Sequence, residues 1–158
     1  MNAMLTENRP RLTLQAETAA ELMSENPVSI SDQATMGEAM EFLTDKGFSA
    51  APVIDAAGRP VGVLSRTDLL IHQRERIRHP MLPKRQFNPE GYEVEKADST
   101  LVRDVMTPGV FSVEPNTPVT AVVEHLLGLK VHRLFVVDEA GVLTGVISTV
   151  DVLQHLKV

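Results

Sequence analysis

The chain has 158 residues, enough for one compact domain or for two small halves that share a core. Hydrophobic residues make up 43% and charged residues 23%, a balance typical of a globular protein. The net charge of −6 disfavours general nucleic-acid binding, and the lack of cysteine excludes disulfide scaffolds and thiolate metal sites. No apolar run reaches the roughly 18 residues of a transmembrane helix. The N-terminus does not resemble a secretory signal, so we expect a cytoplasmic protein without membrane or nucleic-acid partners.

The chain contains an internal repeat, because residues 21–72 align without a gap on residues 104–155, which lie 83 positions later. Identical pairs recur along this alignment, among them Met23 and Met106, Val53 and Val136, Asp55 and Asp138, Gly58 and Gly141, and Gly62 and Gly145. Each copy is too small to bury a core alone, so the copies are expected to pack face to face in one pseudo-symmetric domain. The predicted organisation is a flexible N-terminal arm over 1–17, a first repeat over 18–72, a linker over 73–98 and a second repeat over 99–158.

The sequence of each repeat predicts the same order of helices and strands. In the first copy these are a short helix over 19–23, a strand over 28–30, an amphipathic helix, a hairpin of strands over 52–55 and 61–64, and a final helix that begins near Ser65. The amphipathic helix is predicted from the apolar spacing of Met36, Ala39, Met40 and Leu43. Thr35 and Glu38 form a capping box at its start. The second copy repeats this order, with Pro118 at the first position of its amphipathic helix.

The strongest chemical pattern is a Ser-x-x-Asp motif that occurs twice, where a predicted strand runs into a helix. It comprises Ser65 and Asp68 in the first repeat, and Ser148 and Asp151 in the second. Such a motif is itself a capping box that satisfies free amides at the helix start. A carboxylate there can also accept two hydrogen bonds from a vicinal diol, as in ribose, beside a helix start that favours anions. Both interpretations remain open, although symmetric repetition favours a ligand in paired clefts.

A second candidate pattern is not repeated. His132 and Arg133 stand where the first copy has Ser49 and Ala50. Arginine offers a planar fork for phosphate and histidine adds a donor, whereas the alternative is an exposed pair at a strand edge without a ligand. If the pair serves a ligand, one cleft is cationic and the other is neutral. No zinc-ligand spacing, glycine-rich phosphate loop or nucleophile elbow is present, so the sequence indicates no active site.

Taken together, these residues resemble a tandem cystathionine-β-synthase (CBS) domain pair, also called a Bateman module. The resemblance rests on Met23-Ser24 with Val28-Ser29-Ile30, on Ala51 to Asp55 and on Gly62 to Asp68, with their mates in the second copy, and covers about 19–72 and 100–157. The segment from Val131 to Glu139 is similar to the last repeat of the gamma subunit of AMP-activated protein kinase. The resemblance implies an α+β fold with two pseudo-symmetric β-α-β-β-α repeats packed through their sheets into one module.

The resemblance also implies that adenosine ligands bind in clefts between the repeats. Asp68 and Asp151 would hold the ribose hydroxyls with Ser65 and Ser148 beside them, and His132 and Arg133 would reach phosphate in the cleft that contains Asp68. The loops that frame the base would be Ser24, Asn26 and Val28 in the Asp151 cleft, and Thr107, Gly109 and Val110 in the Asp68 cleft. Ser49 and Ala50 occupy the phosphate position of the Asp151 cleft, where this chain departs from the family because it has no cation there.

The leading hypothesis is a non-catalytic regulatory module. It binds AMP, ADP or ATP as a regulatory ligand, requires no other cofactor, and signals by a change in repeat packing. The resemblance implies a homodimer, and an effector protein is expected on another chain. The alternatives are a ligand-free dimerisation or interaction scaffold whose motifs only cap helices, and a sensor of S-adenosylmethionine or of magnesium with ATP. An enzyme that acts on a nucleotide ranks behind these, because the sequence offers no base, metal site or nucleophile.

Overall fold

A computed structural model gives the fold and describes residues 9–78 and 98–158. The first half contains β1 (Thr13–Leu14), α1 (Ala19–Leu22), β2 (Ser24–Glu25), β3 (Ile30–Ser31), α2 (Met36–Lys46), β4 (Ala50–Ile54), β5 (Pro60–Ser65) and α3 (Arg66–Arg78). The second half contains α4 (Val102–Val105), β6 (Thr107–Pro108), β7 (Ser112–Val113), α5 (Val119–Leu129), β8 (Arg133–Val137), β9 (Leu143–Ser148), α6 (Thr149–Gln154) and β10 (Leu156–Lys157). The β-α-β-β-α order predicted for each repeat is confirmed.

Two four-stranded sheets hold the repeats together, and each sheet takes one strand from the other repeat. Their strand orders are β3-β4-β5-β6 and β2-β9-β8-β7. Strand β6 comes from the second repeat and pairs antiparallel with β5, where Thr107 lies opposite Val63. Strand β2 comes from the first repeat and pairs with β9, where Ser24 lies opposite Val146. The sequence did not predict β2, β6 or this exchange.

The short helices α1 and α4 are exchanged in the same way. The Ala19 amide donates to the Thr117 carbonyl at 2.8 Å, and its repeat mate Val102 donates to the Ala34 carbonyl at 2.8 Å. Ala19 and Leu22 of α1 are buried in the core of the second repeat, whereas Val102 of α4 is buried in the core of the first. Each repeat therefore completes its core with the N-terminal segment of the other.

The predicted apolar stripe of α2 is largely buried against its sheet. Met36, Ala39 and Leu43 are buried, but Met40 is 40% exposed, which corrects its assignment to the core. Met40 lies at the edge of the stripe, where it lines a small pocket between α2 and α3. The width of a buried stripe depends on what packs beside the helix, and the periodicity of the sequence does not contain that information.

The helix starts follow local signals closely. Thr35 Oγ1 accepts a hydrogen bond from the Glu38 amide at 3.2 Å, and the Glu38 carboxylate accepts one from the Thr35 amide at 3.0 Å, so the predicted capping box of α2 is confirmed. Pro118 is the N-cap of α5 rather than its first helical residue. Its ψ of 143° is extended, so the helical conformation begins one residue later.

Part of the predicted flexible arm is paired with the C-terminus of the chain. Strand β1 lies antiparallel to β10, with Thr13 opposite Lys157. Residues 1–8 of the arm lie outside the described residues, as do residues 79–97 of the predicted linker. The described part of that linker begins inside α3, which continues to Arg78. Within the described ranges, no helix is long and apolar enough to span a membrane.

Candidate functional site

Both Ser-x-x-Asp motifs lie at a junction where a strand runs directly into a helix, β5 into α3 and β9 into α6. Asp68 Oδ2 accepts hydrogen bonds from the Ser65 amide at 2.8 Å and from the Ser65 hydroxyl at 2.9 Å. In the second motif, Asp151 Oδ2 accepts from the Ser148 amide at 2.7 Å and from the Ser148 hydroxyl at 2.9 Å. Each serine hydroxyl in turn accepts from the aspartate amide, so both motifs cap their helices.

The capping bonds use only one oxygen of each carboxylate. Among the described residues, nothing donates a hydrogen bond to Oδ1 of Asp68 or of Asp151, and both side chains are half-buried. A carboxylate offers about four acceptor positions on its two oxygens. Helix capping and the acceptance of hydrogen bonds from a sugar are therefore geometrically compatible at both motifs, although the sequence presented them as alternatives.

The exchanged strands bring a loop from each repeat to the sheet that carries the other repeat's motif. Thr107 begins β6, beside the strand β5 that ends at Ser65. Ser24 begins β2, beside the strand β9 that ends at Ser148. The predicted base-framing loop that begins at Thr107 therefore starts on the sheet that carries Asp68. The loop that begins at Ser24 starts on the sheet that carries Asp151.

A turn follows each exchanged strand. Asn26 and Gly109, which are repeat mates, both have left-handed backbone with φ of 48° and 87°. Beyond the turns, Val28 is 47% exposed and Phe111 is 48% exposed, whereas Val110 is half-buried. The sequence prediction paired Val28 with Val110, but the residue that lies 83 positions after Val28 is Phe111. The role of Val110 beside the base stays a prediction, and the repeat offset adds Phe111 as a second candidate.

His132 and Arg133 are exposed and lie at the start of β8 in the second repeat. Arg133 is opposite Ser148 in the β8–β9 ladder, and the His132 carbonyl accepts from the Thr149 amide at 3.0 Å. The backbone therefore places the pair next to the motif of its own repeat. Within the described residues neither side chain forms a hydrogen bond or an ion pair, so both are free to meet an anion. Their assignment to the cleft containing Asp68 stays a prediction.

Ser49 and Ala50 hold the same backbone position in the first repeat. Ala50 is opposite Ser65 in the β4–β5 ladder, and the Ser49 carbonyl accepts from the Arg66 amide at 2.9 Å. The two motif regions therefore share their backbone but differ at these two side chains, which are cationic or basic in one repeat and neutral in the other. Among the described residues no cluster of three or more His, Asp or Glu side chains could hold a metal ion.

Two intertwined α+β repeats with a capped aspartate at equivalent positions define a tandem-repeat module. The model of the CBS domain family matches residues 19–75 and 102–158 of the chain. The chain therefore belongs to the CBS domain family, and the expected family is confirmed.

Curated relatives share this module across most of the chain. The chain is 34% identical over 129 residues to the CBS domain-containing protein CBSX1, chloroplastic, from Arabidopsis thaliana, an alignment that covers 76% of the chain and 55% of CBSX1. It is 32% identical over 118 residues to the 5′-AMP-activated protein kinase subunit gamma-3 from Bos taurus, covering 75% of the chain and 22% of that subunit. The chain thus spans about half the length of CBSX1 and about a fifth of the kinase subunit.

Solved structures show the same fold. The crystal structure of CBSX2 in complex with AMP superposes with a TM-score of 0.65 at 27% identity and covers 88% of the chain and 95% of that protein. The cytosolic domain of the Mg²⁺ channel MgtE in complex with ATP gives a TM-score of 0.65 at 25% identity, and covers 89% of the chain and 49% of that domain. The predicted fold of two paired CBS repeats is confirmed.

Proposed function

We propose that the chain is a non-catalytic regulatory module that binds an adenine nucleotide, AMP, ADP or ATP, in two clefts between its CBS repeats. The observation that carries the proposal is the geometry of the two aspartates. Among the residues that the structure describes, Asp68 and Asp151 each keep one oxygen free at the start of a helix, and the sheet beside each receives a turn from the other repeat. The complexes of CBSX2 with AMP and of MgtE with ATP support this ligand class.

The exchange of strands gives the bound nucleotide a way to act. A ligand that touches the aspartate of one repeat and the turn of the other stabilises the arrangement in which both contacts are made. Its effect equals its difference in affinity between that arrangement and any other. His132 and Arg133 would neutralise the phosphate in the Asp68 cleft. A homodimeric assembly and an effector on another chain complete the proposal, because the change must be passed to another molecule.

A ligand-free dimerisation or interaction scaffold is the second candidate, and one observation favours it. Both aspartates are engaged in capping bonds through Oδ2, which alone gives each a structural role. Under this alternative the carboxylates stabilise helix starts and bind nothing further. The two candidates differ in what they predict for added ligand.

The test is thermal unfolding of the full chain with AMP, ADP, ATP, S-adenosylmethionine, NADH or magnesium with ATP. A ligand at one hundred times its Kd stabilises by about 2.7 kcal/mol, which corresponds to a Tm increase of roughly 5 to 11 °C for a chain of this size. Asp68→Ala and Asp151→Ala should each remove the part of the increase that belongs to one cleft. Glu38→Ala is the matched control, because it removes a capping carboxylate from α2, where no ligand is proposed.

The outcomes separate the two candidates. A ligand-induced increase in Tm that survives in Glu38→Ala but falls in an aspartate variant supports nucleotide binding. The absence of any increase with all six ligands contradicts it and favours the scaffold. An equal reduction in all three variants would mean that capping, rather than ligand contact, explains the loss.

A further inference from the structure

Three polar side chains join α3 to the segment that precedes α4, and we call them the Asp98 cluster: Asp98, His72 and Arg76. Asp98 Oδ2 lies 2.7 Å from His72 Nε2 and 3.2 Å from Arg76 Nη1. Asp98 Oδ1 accepts from the Thr100 amide at 3.1 Å. The side chains of His72 and Asp98 are only 17% and 14% exposed, so their contact is shielded from solvent.

The carboxylate of the cluster is ionised at neutral pH. Burial of Asp98 opposes ionisation, but the hydrogen bonds from His72 and Thr100 and the charge of Arg76 hold the pKa of Asp98 below its ordinary value. Hydrogen bonds to a charged acceptor are among the stronger ones in proteins. The cluster is therefore a firm attachment between two chain segments that are distant in sequence.

The two attached segments both lead to the region around Asp68. His72 follows Asp68 by one helical turn on α3. Asp98 precedes α4, and β6 after it pairs with β5 and leads into the turn at Gly109. The Thr100 carbonyl also accepts from the Met36 amide at 2.8 Å, which fixes the same segment to the start of α2. The helix that carries the aspartate and the strand that carries the turn are thus tied together by this cluster.

The second repeat is attached differently at the equivalent positions. Gln15 and His155 are the residues 83 positions from Asp98 and His72. The Gln15 amide donates to the His155 carbonyl at 2.8 Å, and His155 Nδ1 lies 2.8 Å from the Asp151 carbonyl. Pairing of β1 with β10 continues this contact. A backbone attachment therefore replaces the ion pair of the first repeat.

We propose that the Asp98 cluster is a positioning device that holds the α4–β6 segment against α3 and so sets the geometry of the Asp68 cleft alone. Its effect on ligand affinity rests on the proposed function. If the turn at Gly109 is already ordered, a ligand loses little binding free energy in ordering it. If the turn is mobile, the ligand must order it, and this cost weakens the affinity. The Asp151 cleft should not depend on the cluster, because its turn at Asn26 is carried by α1 and β2.

The first part of the test needs no nucleotide. Asp98→Asn keeps the shape of the side chain and an acceptor for the Thr100 amide but removes the charge. Amide hydrogen exchange over 102–107 should accelerate at least about tenfold in this variant, while exchange over 19–25 remains unchanged. Asp45→Asn, which removes an exposed carboxylate from α2, is the control and should change neither segment. Equal acceleration of both segments in Asp98→Asn, or of neither, overturns the positioning role.

The second part measures the affinity for AMP one cleft at a time. In an Asp151→Ala background, in which only the Asp68 cleft is intact, Asp98→Asn should weaken AMP binding by about tenfold. In an Asp68→Ala background it should change affinity by less than about twofold. His72→Gln keeps an N–H donor and should retain most of the affinity that His72→Leu loses. Equal effects on both clefts would contradict the proposal.

Different measurements decide whether the chain binds a nucleotide and whether the Asp98 cluster positions the α4–β6 segment. If the wild-type chain binds no nucleotide, the proposed function falls, and the exchange measurement alone decides whether the Asp98 cluster positions the α4–β6 segment. If nucleotide binds but the two segments exchange alike in Asp98→Asn, the proposed function stands and the positioning role is overturned.

Discussion

Arg133 and Ala50 occupy the same place in the two repeats, since each lies opposite the serine of its own motif in a β ladder. The backbone is shared, so the difference between the two sites lies in the side chains. An exposed guanidinium with no partner among the described residues pays no burial cost and is ready for a phosphate. Ala50 has no charge and no hydrogen-bonding group in its side chain, so it leaves space at this position but cannot bind a phosphate. At the residue scale, the repeats are therefore equivalent in shape and unequal in charge.

This inequality predicts the effect of Arg133→Ala. We expect the affinity for AMP in the Asp68 cleft to fall by about tenfold or more, because a charge-assisted bond to phosphate is lost. Affinity for adenosine, which has no phosphate, should change by less than about twofold. Titration calorimetry in an Asp151→Ala background measures both. Arg78→Ala, which removes an exposed arginine at the end of α3, is the control. An equal loss for AMP and adenosine would remove Arg133 from the phosphate role.

At the scale of elements, the exchanged segments approach their host strands so closely that only glycine fits. A Cβ on Gly62 of β5 would lie 2.6 Å from Met106 Sδ and 2.7 Å from the Thr107 carbonyl oxygen. A Cβ on Gly145 of β9 would lie 2.5 Å from Met23 Sδ. These are repeat mates, so the same contact is made twice. The glycines and methionines that identify the repeat in the sequence are the residues that join its halves.

Gly62→Ala should therefore destabilise the fold by about 1 to 3 kcal/mol, because the Thr107 backbone must move to admit a methyl group. Gly128→Ala is the matched control, since a Cβ there meets no atom within 4 Å and the residue lies inside helix α5. That control should raise the free energy of unfolding by up to about 1 kcal/mol through helix propensity. Urea unfolding followed by circular dichroism measures both variants. An unchanged free energy of unfolding in Gly62→Ala would contradict the close contact between β5 and the Met106–Thr107 segment.

At the scale of the whole molecule, two separate cores are bound into one unit by the exchange. The hairpin turns of the two repeats also meet, where the Leu143 amide donates to the Gly58 carbonyl at 3.0 Å. The symmetric bond to Gly141 cannot form, because the mate of Leu143 is Pro60, which has no N–H. The pseudo-symmetry is thus broken at this contact, at His132 and Arg133 beside the second motif, and at the Asp98 cluster.

Shared elements predict a single unfolding transition. Val102→Ala should lower the stability of the whole chain by about 2 kcal/mol, which corresponds to about 4 to 8 °C in Tm. Val102 belongs to the second repeat in sequence but is buried in the core of the first. Val122→Ala, in the core of the second repeat, should shift the same transition. Scanning calorimetry measures both, and a melt that splits into two transitions in either variant would contradict the single unit.

The sequence alone determined the features that depend on neighbours a few residues apart. The capping box of Thr35 and Glu38, the two Ser-x-x-Asp caps and the hairpin turns all follow from local hydrogen bonding and backbone preference. The element order and the pseudo-symmetry followed from the repeat, because two similar sequences adopt similar local structure. The regular spacing of apolar residues was enough to place the amphipathic helices.

Only the tertiary structure decided how the halves are joined. Strands of two residues such as β2 and β6 have no periodicity to detect, and their pairing energy comes from partners far along the chain. The burial of Val102 in the first core, the exposure of Met40 and the contact between His72 and Asp98 have the same cause. Each depends on which surfaces of the two repeats pack together, and this packing cannot be read from local sequence patterns.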